Sequence, residues 1–159
     1  MELKAASSRP WRSFAVPSDK SISGMSISLP NFFKYKTFPN GTTKFVPKNK
    51  RNYGVLIFVT RLGDGNDFVI KNRYETLIKQ SSEENRITSK SLSEDSYTIW
   101  SDLHGKLDSD GKDQELFMYA KGLIISNGVY EIYVRFQREY RDAITAILPR
   151  IVDSFKASN

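Results

Sequence analysis

Apolar residues recur along the chain with two different periods, and the changes of period outline its elements. In MSISLP, Met25, Ile27 and Leu29 alternate with small polar residues, which predicts a short strand. FFKYKTF and TTKFVP follow, joined by Pro39-Asn40-Gly41, and predict a hairpin. In it Lys34 and Lys36 share a face with Phe32 and Phe38, while Phe33 and Tyr35 take the other. VLIFVTRL is an uninterrupted apolar and β-branched run, the pattern of a strand buried on both faces. After the turn LGDGND, with Asn66 or Asp67 as N-cap, Ile70, Tyr74, Leu77 and Ile78 mark the inner stripe of a helix running to about Gln80. Beyond the polar connector SSEENR, ITSKSL and YTIWSDLHGKL predict two more strands.

The last third carries the clearest pattern. Asn127-Gly128 lies between two β-rich runs and predicts a tight hairpin with a type I′ turn. That turn pairs Ser126 with Val129 and so sets the register; Ile125 with Tyr130, Leu123 with Ile132 and Tyr119 with Phe136 then give one apolar face. The opposite face pairs Ile124 with Glu131, Gly122 with Tyr133 and Ala120 with Arg135, while Lys121 intrudes on the apolar face opposite Val134. Tyr140, Ile144, Ile147, Leu148, Ile151, Val152 and Phe155 then recur at spacings of three and four, the core-facing stripe of a closing helix. Pro149 predicts a kink or break in it. Strands, helix, strands, helix, with antiparallel hairpins dominating, predict an α+β fold in which helices flank a sheet.

The hairpin tip SNGVYEIYV and the helix ending LPRIVDSF, taken with the element order, resemble the PsbP-like fold family from about Met25 to Phe155. That family includes the extrinsic photosystem subunit, a Ran-binding nuclear import factor and DcrB-like bacterial envelope and secretion-associated proteins. The resemblance implies an α/β/α sandwich around an antiparallel sheet and a non-catalytic accessory role exercised by docking to partners. The basic N-terminal portion is not something the resemblance requires.

Composition adds bounds. At 159 residues with 39% hydrophobic content, the chain suits one α+β domain over residues 24–159, preceded by an irregular or flexible segment over residues 1–23. The absence of cysteine excludes disulfides, thiolate metal sites and a cysteine nucleophile. YGVLIFV, the longest apolar run, is too short to cross a bilayer, and residues 1–24 lack the apolar core of a signal peptide. These features fit a periplasmic or secreted protein whose signal peptide has been removed as well as a cytoplasmic one. The net charge of +6 is unevenly spread. From Met1 to Tyr53 ten Lys/Arg face two acids, whereas from Glu83 to Glu115 nine acids face four bases.

Candidate chemistry is sparse. His104 is the single histidine and has Asp102 two residues away, with Ser101 and Ser109 nearby, but no strand–turn–helix nucleophile elbow surrounds them, so no catalytic role is expected. Asp108, Asp110, Asp113 and Glu115 supply hard oxygen ligands, yet the glycine and the bidentate acid of a calcium loop are misplaced, and an acidic turn is the better account. Asp64, Asn66 and Asp67 have capping as their ordinary task, Gly63 and Gly65 lack the third glycine of a dinucleotide fingerprint, and the sequon Asn40-Gly41-Thr42 is explained by its turn. No cofactor or metal is expected.

Two patches remain as candidate partner-binding surfaces. Lys34, Lys36, Lys44, Lys48, Lys50 and Arg51 stand without an acid among them, interleaved with aromatic residues, as on surfaces that track phosphates or dock acidic partners. Lysines on an edge strand also serve simply to prevent aggregation. Glu131, Tyr133 and Arg135 lie beside the small residues Gly122 and Ala120, so they either border a shallow depression open to a partner or, in a three-layer sandwich, lie under the first helix with Tyr133 partly buried. The expected function is a non-enzymatic binding or accessory module that docks a protein partner, for example at the envelope or in secretion. The alternative is a basic nucleic-acid or polyanion binder acting through the first hairpin.

Overall fold

The alternating segments pair into two antiparallel sheets. The computed structural model describes residues 10–16, 24–49, 54–83, 86–108 and 111–157. Along them run β1 (Trp11–Val16), β2 (Met25–Pro30), β3 (Phe33–Thr37), β4 (Thr42–Pro47), β5 (Val55–Asp64), α1 (Asp67–Glu83), β6 (Ile87–Leu92), β7 (Ser96–Lys106), β8 (Asp113–Ile125), β9 (Gly128–Gln137), α2 (Arg141–Ser154) and β10 (Lys156–Ala157). The large sheet has seven strands in the order β3-β4-β5-β9-β8-β7-β6, and the small one has the order β1-β2-β10. The class is α+β, with helices on both faces of an antiparallel sheet.

Strand parity decides what each face of the large sheet carries. On one face Val55, Ile57, Val59, Tyr130, Ile132, Val134 and Phe136 form a core with Ile144, Ile147, Leu148 and Ile151 of α2 and with Phe14, Val16, Met25, Ile27 and Leu29 of the small sheet. On the other, Ile70 and Leu77 of α1 pack on Tyr97, Ile99, Met118, Ala120 and Val129. α1 begins as expected, with Asn66 Oδ1 accepting the Val69 amide at 3.0 Å. It lies against β5, β6, β7 and β8, leaving β3 and β4 without a helix above them. Each face is therefore covered over only part of its width.

Four expectations need correction. Trp11–Val16, expected to be irregular, forms β1, because Phe14 and Val16 alternate into the core while β1 pairs along β2. The closing hairpin turns at Ser126 and Asn127, with Ile125 opposite Gly128, so every pair is displaced from the Asn127-Gly128 register. Ser126 takes the positive φ of 54°, and Gly128 is instead required by crowding, since a Cβ there would press on the Tyr130 ring and the Arg61 side chain. Lys121 now faces Ile132, and its Nζ donates to Thr98 Oγ1 at 2.9 Å. α2 runs unbroken through Pro149, which sits on its exposed side, and ends at Ser154.

Candidate functional site

The two patches separated in the sequence share one face of the large sheet. Cross-strand pairing gives a continuous row Lys36–Lys44–Phe58–Tyr133–Ala120–Ile99–Lys90 across all seven strands. Paired residues project to the same side. α1 covers the Ala120 and Ile99 end, so Lys36, Lys44, Phe58 and Tyr133 lie on the half without a helix. Lys34 and Arg135 lie on the same side, one register step along, opposite Val46 and Leu56.

Arg135 is the centre of this half-face. Its two terminal nitrogens donate to the Lys106 carbonyl at 3.0 Å and to the Tyr133 hydroxyl at 3.1 Å, and its guanidinium carbon stands 5.5 Å from the Tyr133 ring centre. Its buried Nε has no hydrogen-bond partner, and no carboxylate among the described residues pairs with it. The cation is thus oriented by neutral groups and left uncompensated. Beside it a cleft of about 680 Å³ runs between the sheet and α1, lined by Phe58, Ser101, Leu103, Met118, Tyr133 and Arg73 among others.

Across the sheet toward the β3 edge, a second cleft of about 560 Å³ is bordered by Lys34, Lys36, Lys44 and Lys48, with Tyr35, Val46 and Pro47. Lys44 is spoken for, with its Nζ on Asp108 Oδ2 at 2.9 Å. Lys34, Lys36 and Lys48 form no ion pair among the described residues, and Lys36 stands 5.3 Å over the Phe38 ring. Tyr35 is 50% exposed. Lys50 and Arg51 lie outside the described residues.

Glu131 does not belong on that surface. It is 4% exposed and lies under α1, where Arg73 grips it through Nε to Oε2 at 2.7 Å and through its terminal nitrogen to Oε1 at 2.9 Å. The Tyr97 hydroxyl donates to the same carboxylate. Burial, and then the Glu131 charge, push the Tyr97 pKa well above the ordinary tyrosine value, and the bond to Glu131 raises that of Arg73. The sequence left open whether this row faced a partner or lay under the first helix; for Glu131 the second reading holds, and only its ion-pair partner went unnamed. The signal was present: Arg73 stands three residues after Ile70 and four before Leu77, on the inward side of the helix.

His104 joins a different cluster. Its Nδ1 is 2.8 Å from Glu115 Oε1, and Arg86 donates to Glu115 Oε2 at 3.1 Å. These two contacts, His104 first, hold the Glu115 carboxyl below its ordinary range. Asp102 faces Arg138 at 4.0 Å, so His104 and Asp102 have separate partners. Among the described residues no three His, Cys, Asp or Glu side chains cluster as metal ligands would, and no helix is long and apolar enough to cross a membrane.

With this geometry in hand, comparison with known proteins is informative only at the level of fold. No family model matches the chain, and no curated protein matches it in sequence. The solution structure of cyanobacterial PsbP (CyanoP) from Synechocystis sp. PCC 6803 superposes with a TM-score of 0.56, covering 93% of this chain and 92% of that one at 10% identity. The fold is PsbP-like. At that identity the likeness extends to the scaffold alone.

Proposed function

We propose that this chain is a non-enzymatic docking module, which binds an acidic surface of a protein partner on the half-face around Arg135. The observation that carries the reading is Arg135 itself: a partly buried cation, oriented by Tyr133 and the Lys106 carbonyl, with no carboxylate of its own among the described residues. A preoriented guanidinium beside aromatic rings is the composition of an interface anchor, and a bidentate carboxylate is the group it accepts best. Lys34 and Lys36 extend the positive potential toward the β3 edge and would steer an acidic partner to it. The PsbP-like scaffold is compatible with an accessory role but does not by itself supply one.

A photo-crosslinking residue at position 133, compared with one at Thr145 on the far side, tests this in the native host. Crosslinks to one protein from position 133, lost when Arg135→Glu is added, support the reading. Equal labelling from both positions, or labelling indifferent to Arg135→Glu, removes it.

A second reading rests on the cleft bordered by Lys34, Lys36 and Lys48, which suits the phosphates of a polyanion such as single-stranded nucleic acid. It requires retention on heparin or single-stranded DNA that weakens steeply with salt and disappears in Lys34→Glu/Lys36→Glu/Lys48→Glu. Retention unchanged in that variant eliminates it.

A further inference from the structure

The opposite face of the sheet has its own open part, and it carries different chemistry. α2 and the small sheet cover β5 and β9 there, but a cleft of about 770 Å³ opens over β6, β7 and β8. Its floor is aromatic, with Trp100, Phe117 and Phe136. Trp100 stands edge-on to Phe136 at 6.4 Å and to Tyr119 at 4.7 Å, so its ring is braced from beneath. Phe117 lies 5.5 Å from Phe136.

Two guanidiniums converge on this floor. The turn Arg138–Tyr140 and the first residue of α2 bring Arg138 and Arg141 over the same ring, with their carbons 4.7 Å and 5.2 Å from the Phe117 centre. A guanidinium held over an aromatic face keeps its in-plane N–H edge for an anion. Neither edge is taken. Arg141 forms no ion pair among the described residues, and the only one of Arg138 is with Asp102 at 4.0 Å, beyond hydrogen-bonding distance. Asp142 also borders the cleft and forms no ion pair with either guanidinium.

We propose that this cleft is a binding site for a small flat aromatic carboxylate. The ring lies against Trp100, beside the Phe117 ring that the two guanidiniums already cover, and the carboxylate takes the free edges of Arg138 and Arg141. The floor selects a planar ring over an aliphatic one through stacking, and the paired forks select a carboxylate over a neutral group. Asp102 limits affinity, because it competes for Arg138 and repels the ligand. The site is independent of the Arg135 half-face, since it lies on the other side of the sheet.

The test is a titration of the full chain with 2-naphthoate, followed by the indole N–H signal of Trp100 and the Nε–H signals of Arg138 and Arg141. The Trp100 signal is assigned by comparison with Trp11→Phe. Saturable shifts confined to these groups are expected, with 2-naphthalenemethanol and cyclohexanecarboxylate each about tenfold weaker or more. Arg138→Gln/Arg141→Gln should lose binding, with the rest of the spectrum unchanged, while Asp102→Asn should tighten it severalfold. The Asp102→Asn arm and the two control ligands need no loss-of-fold variant. Shifts that do not saturate, equal binding of the neutral alcohol, or weaker binding in Asp102→Asn each overturn the proposal.

Discussion

Gly122 provides the space in which the Tyr97 ring lies: a Cβ at position 122 would overlap Cε2, Cζ and Cδ2 of that ring. Gly122 is paired with Tyr97 on one side and Glu131 on the other, so the ring crosses it to bring its hydroxyl to the carboxylate. Gly122→Ala should therefore both overpack the site and pull Tyr97 from Glu131, at a cost of about 3 kcal/mol. Gly105, in the neighbouring strand β7, has open space where a Cβ would lie, with no atom within 4 Å, and serves as the control. Gly105→Ala should change stability by less than about 0.5 kcal/mol when both variants are unfolded in urea.

The ion pair beneath α1 gives an asymmetric prediction. Removing Arg73 alone leaves the Glu131 charge buried, whereas replacing both partners removes the liability. Because the Arg73 side chain is 31% exposed, Arg73→Met should cost about 2–4 kcal/mol, at or below the usual range for breaking a buried pair. Arg73→Met/Glu131→Gln should recover most of that loss, as Gln can still accept from Tyr97. A double-mutant cycle by chemical denaturation measures the coupling, and simple additivity would refute the clamp.

Alkaline pH should weaken the same cluster. Burial and Glu131 hold Tyr97 in its neutral form, so the folded state keeps a proton that the unfolded chain releases near pH 10. The stability due to this proton is fully present below that pH and is lost as pH rises above it. Tyr119, pushed up to about 12 by burial and the charge of Asp153, adds to the same slope. Tyr97→Phe should flatten the decline between about pH 10 and 11.5 by up to about 1.4 kcal/mol per unit. An unchanged slope would assign the alkaline transition to other groups.

Pro149 should be a stabilising position. It lies inside α2 on the exposed side, where it removes a backbone donor without contributing to the core. Pro149→Ala regains up to about 3 kcal/mol of helix propensity and loses up to about 1 kcal/mol by loosening the unfolded chain. A net gain of about 2 kcal/mol, read as a higher denaturation midpoint, is expected; a loss would mean the proline packs against something essential.

The elements from β2 to α2 were legible because their apolar positions recur with a readable period, whereas β1 and β10 were not. Met25, Ile27 and Leu29 announced β2, and Ile144, Ile147 and Ile151 announced α2. The closing hairpin kept its faces despite the wrong turn, because a displacement of two residues in pair sum preserves parity. What stayed hidden were relations between distant segments. Pairing of β4 with β5 puts Lys44 beside Phe58, and pairing of β5 with β9 adds Tyr133 and Arg135, so the two candidate patches became one. The burial of Glu131 needed Arg73 from a helix 58 residues earlier. β10 is two residues long and has no pattern to read.

That short strand has a consequence in time. The Ser154 hydroxyl donates to the Ile151 carbonyl and accepts from the backbone amide of Ser28, 126 residues earlier, and Lys156 and Ala157 complete the sheet on β2. During synthesis, β1 and β2 emerge well before their third strand, since the contact at Ser154 lies 126 residues beyond Ser28. Closing so long a loop is costly in entropy, so the small sheet is a late event. Until then Met25, Ile27 and Leu29 lack the α2 surface that shields them, and a nascent chain stalled before residue 154 would present them to solvent and to chaperones.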